Sequence, residues 1–210
     1  KPFFALSPRG QLNNTQFGFQ EGKLNYVLSR FSHMSWQAND TLPGVKKLSG
    51  AVAWEPEEGR LELDGEDVTL VFKNKPPLQF DLVNAAVMWK DLSHGWRVTL
   101  DRSMLKHEHG VFSARGMLDG LSSQSKGNLQ GDISFSTHDA TFWWPYLPEK
   151  QLKPKLLAWI KNDVIRIEQA SGHVQLEGAR EDFPFDARSG VFLVTGSVSG
   201  VDLRFNHDWP

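Results

Sequence analysis

Between residues 60 and 82 the chain reads RLELDGEDVTLVFKNKPPLQFDL. Leu61 and Leu63 fall on one side of an extended chain, with Glu62 on the other. Val68, Leu70 and Phe72 repeat the spacing, and Leu78, Phe80 and Leu82 repeat it again. Successive side chains of a strand point to opposite faces, so each run carries one apolar and one polar face. The intervening LDGED and KNKPP are rich in residues that favour bends. The stretch predicts short antiparallel strands joined by tight turns.

The same alternation recurs outward from this stretch. WRVTL aligns Trp96, Val98 and Leu100, IRI aligns Ile165 and Ile167, and VQL aligns Val174 and Leu176. VDLRF aligns Val201, Leu203 and Phe205, while EPEEGR, SHGW, EGARED and ARSG supply further turns. Strands at intervals of about 8 to 12 residues predict a mainly β, antiparallel architecture of about a dozen strands or more. The polar SSQSKGN at 122–128 reads as a hinge or disordered loop.

One passage breaks the pattern. In WWPYLPEKQLKPKLLAWI, residues 143–160, the apolar residues Leu152, Leu156, Trp159 and Ile160 recur at helical spacing. Pro154 suits a first helical turn and Lys161 a last one, which predicts a short helix over 153–161. Its stripe reads as a packing plug, with WWPYLP as a rigid approach to it. So short a helix cannot cover a dozen half-apolar strands. Burial then has to come from a second sheet, as in a β-sandwich, or from bending the sheet into a trough that a ligand fills. The alternation leaves both open, and the sandwich is the commoner solution.

Composition narrows the function classes. The net charge is -2 with no clustering of basic residues, which argues against a nucleic-acid partner. There is no cysteine, so thiolate sites and disulfides are excluded. No cofactor motif occurs, and GSVSG carries Val198 where a nucleophile elbow needs serine. His107 and His109 share a strand face but lack a third metal ligand at any familiar spacing. The adjacent carboxylates Glu57–Glu58 and Glu66–Asp67 read as turn residues, not as a facing catalytic pair. The reading is a chain with no catalytic residue, no metal site and no cofactor. The 8 tryptophans are dispersed, which favours core or groove packing over a sugar-binding platform. No run approaches the roughly 18 apolar residues of a membrane span. The chain opens KPFF and closes NHDWP, and both ends read as cuts within a longer protein.

Several segments together resemble one family. SWQANDTLPGVKKLSGAVAW (35–54), WWPYLPEKQLKPKLLAWIKNDV (143–164), GHVQLEGAREDFPFD (172–186) and VSGVDLRFNHDWP (198–210) are similar, in that order, to the YhdP and AsmA-like proteins of Gram-negative bacteria. The resemblance implies a long antiparallel sheet curled into an open groove, the β-sandwich being the alternative. Residues 1–136 would form a first groove segment, 137–163 a helical plug or connector, and 164–210 the start of the next segment. It further implies a periplasmic protein, anchored in the inner membrane by a segment outside this stretch, that conducts phospholipid towards the outer membrane. The lining expected on that basis is Leu61, Leu63, Leu70, Phe72, Phe80, Leu82, Trp89, Val98, Leu100, Ile165, Ile167, Val174, Leu176, Leu203 and Phe205, with Leu152, Leu156, Trp159 and Ile160 on the plug. The alternative function is a carbohydrate-binding or adhesive β-sandwich.

Overall fold

A computed structural model describes residues 7–39, 42–147, 149, 154–185 and 189–204. The strands follow in order: β1 (Arg9–Gln20), β2 (Lys23–Trp36), β3 (Gly44–Trp54), β4 (Glu58–Val71), β5 (Leu78–Leu92), β6 (Gly95–His107), β7 (Gly110–Leu121) and β8 (Lys126–His138). A 3-10 helix (Ala140–Tyr146) and α1 (Pro154–Asn162) lead to β9 (Val164–Ala179) and β10 (Gly190–Leu203). All 10 strands form one sheet in which each pairs with its sequence neighbour, antiparallel throughout. β1 and β10 are its two edges, so the sheet is not closed into a barrel. There is no second sheet among the described residues, and the β-sandwich alternative therefore falls.

The strands are fewer and longer than the sequence predicts, and the opening stretch shows why. LDGED is not a turn: β4 runs through it unbroken. Asp67 takes a left-handed backbone conformation, φ 53°, which aspartate tolerates better than most residues. Lys46 of β3 pairs with Thr69 and Gly50 with Leu63, four steps along β3 against six along β4. The surplus is a β-bulge, which bends a strand and resets its alternation. His33 (φ 53°) in β2 and Lys47 (φ 63°) in β3 adopt the same conformation. Lys47 meets Asp67 at 3.9 Å, so the irregularities form a crease across three neighbouring strands. Likewise SSQSKGN is no hinge. Ser122 N–H donates to the Ser125 carbonyl at 2.9 Å, and its hydroxyl accepts from the Gln124 and Ser125 amides, which closes a tight β7–β8 turn.

The buried centre is small and lies on one face. Val45, Leu48, Val68, Leu78, Phe80 and Val83 form it, with Phe31, Met34, Trp36, Leu63, Leu70, Phe72 and Leu105 packed around them. Phe142, Trp143 and Tyr146 reach the same cluster from the connector after β8. The accessible surface is 14630 Å². A compact chain of 23.7 kDa would expose about 9,800 Å². A single layer with two free edges exposes more surface than a compact fold does.

Candidate functional site: an apolar face closed at one end

Residues paired across an antiparallel ladder project from the same face. One row across the strands therefore runs Leu63, Ala85, Ser103, Ala114, Ile133, Val174, Val194. The next runs Leu61, Val87, Leu100, Gly116, Gly131, Leu176, Phe192. A third contains Gly59, Trp89, Val98, Leu118 and Leu129. The opposite face carries Arg60, Glu62, Asp64, Arg102, Arg115, Asp132 and Gln175. The sheet thus has a continuous apolar side with small residues along its middle.

The structure aligns Leu61, Leu63, Trp89, Val98, Leu100, Val174 and Leu176 on this face, all half-buried. Leu70, Phe72 and Phe80 join them beyond the crease. Leu82 does not: it pairs with Glu66 and Lys106 on the polar side, and Val83 takes the inward position, only 7% exposed. The alternation in β5 resets alongside the bulge in β4, which the sequence pattern hides. Near the start of β9 the inward residue is Val164, 4% exposed, whereas Ile165 is 55% exposed. Ile167 and Leu203 are half-buried, and Leu152 and Phe205 lie outside the described residues.

The end of the face near the β4–β5 turn is capped by the 3-10 helix. Trp143 packs edge-on against Phe112, centroids 4.6 Å apart, and its indole N–H donates to Thr137 Oγ1 at 2.7 Å. Tyr146 lies 5.8 Å from Phe72 and its hydroxyl donates to the Pro77 carbonyl at 3.4 Å. The Lys75 ammonium donates to the Leu147 carbonyl at 3.1 Å. The connector therefore crosses from β8 to the β4–β5 turn. Burial raises the Tyr146 hydroxyl above its ordinary pKa, so the ring stays neutral.

Beneath the cap lies a cavity of about 400 Å³ lined by Phe72, Leu78, Phe80, Leu105, Phe112, Ala114, Ile133, Trp143 and Tyr146, with Lys75 at its edge. A second hollow, about 430 Å³, lies mostly on the opposite face, where Leu28, Ala53, Arg60, Met88 and Thr99 share one row. Its rim carries Lys90 paired with Glu58 at 2.8 Å, and Arg97, which holds Asp119 at 2.9 Å. The Arg97 guanidinium lowers the Asp119 carboxyl to about 2. The first cavity is the better candidate, because it joins the buried centre to the cap.

The aromatic packing expected of the helix is thus made by the segment before it, the 3-10 helix. α1 lies against β9, and Leu156 remains 44% exposed, while Trp159 and Ile160 are half-buried. The signal for the cap was the aromatic density of FWWPY, which has no helical period to mark it.

His107 and His109 sit under the cap. His107 is 7% exposed, and its ring lies 4.8 Å from Phe142 and 5.4 Å from His109. Among the described residues no cluster of His, Asp or Glu is arranged to hold a metal ion. Nor is any helix there long and apolar enough to cross a membrane.

Compared with known proteins, residues 2–210 match the family model described as YhdP protein. No curated protein and no solved structure matches.

Proposed function

Because the chain belongs to the YhdP protein family, we propose that its apolar face is a section of a conduit for phospholipid acyl chains between the inner and outer membranes. The protein would stand in the periplasm, anchored by a segment outside this stretch. The observation that carries the reading is the pair of rows, apolar or glycine except at Ser103, that cross the strands from β4 to β10. Such a face is rarely left exposed without an occupant.

The physics is passive. Each methylene shielded from water is worth about 0.8 kcal/mol, so eight withdrawn together are worth about 6 kcal/mol. A chain leaving a bilayer loses that shelter and regains it against Leu, Val, Ile and Phe. Transfer along the face is then close to level in free energy, which suits movement better than tight binding. The head group stays in water along the open side. The step needs no catalytic group. The carbohydrate-binding alternative loses its platform, since every tryptophan among the described residues is half-buried and none stands exposed on a flat face.

The test is photocrosslinking in cells making the full-length protein. A benzophenone amino acid at Ile133 or Leu176, on the apolar face, should capture phospholipid. The same probe at Asp132 or Gln175, one residue away and on the polar face, should not. Equal capture from both faces, or none from either, overturns the conduit reading.

A further inference from the structure

The cap that walls one side of the cavity is fastened to a pair of histidines. The His109 amide donates to His107 Nδ1 at 3.0 Å, so that ring nitrogen must be unprotonated. Thr137 donates to the His109 carbonyl and accepts from the Trp143 indole. One chain of hydrogen bonds therefore links the His107 ring, the β6–β7 turn, β8 and the cap. Phe142 covers both imidazoles, with centroids 4.8 Å from His107 and 4.2 Å from His109. His109 Nδ1 is buried and has no partner among the described residues.

We propose that the aromatic cap is a proton-sensitive latch: protonation of His107 frees Phe142, Trp143 and Tyr146 from the apolar face and removes the wall they give the cavity. A doubly protonated His107 would turn an N–H towards the His109 N–H, donor against donor, and would bring a charge beneath Phe142. The environment resists that charge. Burial lowers the His107 pKa, and His109 lowers it further, while Glu108 and Asp81 pull weakly the other way. Around this pair stand Asp81 on β5, Glu108 in the β6–β7 turn, His138 on β8 at 5.8 Å from His109, and Tyr146 on the cap, which burial keeps neutral. Glu108 approaches His109 Nε2 at 3.5 Å, but its side chain is largely exposed, so water screens its pull.

The sign follows from the direction of the shift. The docked cap binds fewer protons than the released one, so docking is fully favoured above the ordinary histidine value near 6.5 and weakens as pH falls below it. One proton gives at most about a tenfold change in the docking equilibrium per pH unit. Asp119, at about 2, stays ionised through this window and contributes nothing to the response.

The latch takes its purpose from the conduit reading, yet its test does not depend on lipid. Hydrogen exchange at 140–147 is measured in the full-length protein from pH 7.5 to 5, corrected for the intrinsic rate. Protection should fall by up to about tenfold per unit below pH 6.5, while peptides from β5 and β6 stay protected. His107→Asn keeps an acceptor for the His109 amide but does not titrate, and should hold the cap closed at every pH. Nuclear magnetic resonance titration of the His107 ring in the unaltered protein supplies a second measure, and its midpoint should coincide with opening. Exchange that is flat with pH, opening that persists in His107→Asn, or a mismatched midpoint each overturns the latch. Absent lipid capture from the apolar face with a normal pH response would sink the conduit alone.

Discussion

Phe80 and Gln79 are neighbours with opposite environments. Phe80 is 3% exposed, pairs with Val68 across β4, and meets His107 edge-on at 6.0 Å. Gln79 faces water. Phe80→Ala should cost about 3 to 5 kcal/mol, as large truncations in cores do, and Gln79→Ala no more than about 0.5 kcal/mol. Urea unfolding measures both, and similar midpoints would mean that β5 is registered the other way. Alternation made Phe80 legible in the sequence because an unbroken strand fixes which side each residue takes. It misled at Leu82 because DGED has the composition of a turn and serves instead as a bulge. The same residue types suit either, and only the pairing partners Thr69–Lys46 and Leu63–Gly50 decide between them.

The connector after β8 divides into two elements with different work. The 3-10 helix sets the half-buried Trp143 and Tyr146 in the cavity wall, whereas α1 keeps Leu156 in water. Trp143→Ala should therefore cost about 2 to 4 kcal/mol, somewhat below a fully buried ring because Trp143 is only half-buried. Leu156→Glu should change stability by no more than about 0.5 kcal/mol. Thermal unfolding of the two variants checks this, and a Leu156→Glu loss equal to that of Trp143→Ala would return the plug to α1. The helix itself was legible, since Pro154, the apolar spacing and Lys161 mark it locally. The cap was not. Its partners are Phe72, Lys75 and Pro77, some seventy residues earlier, and no local period announces a contact of that range.

At the scale of the molecule the sequence revealed a β protein but not what covers its faces. Alternation encodes that a side is apolar, and a second sheet or a ligand satisfies it equally well. The floor of the face offers a direct probe. A Cβ at Gly131 would meet nothing nearer than 3.7 Å, so Gly131→Leu adds bulk to the apolar row beside Leu176 without a backbone clash. Stability should stay within about 0.5 kcal/mol, while lipid capture by a crosslinker at Leu176 falls sharply. Unchanged capture would show that nothing travels past Gly131. The in-order meander carries one more consequence. Strands lie about 4.8 Å apart, and the apolar rows run across β4 to β10, so they extend over about 29 Å. Each hairpin added or removed alters that span by about 10 Å and leaves every other pairing intact. The number of strands is a ruler, and the length of apolar surface this design offers is written in the count of its hairpins.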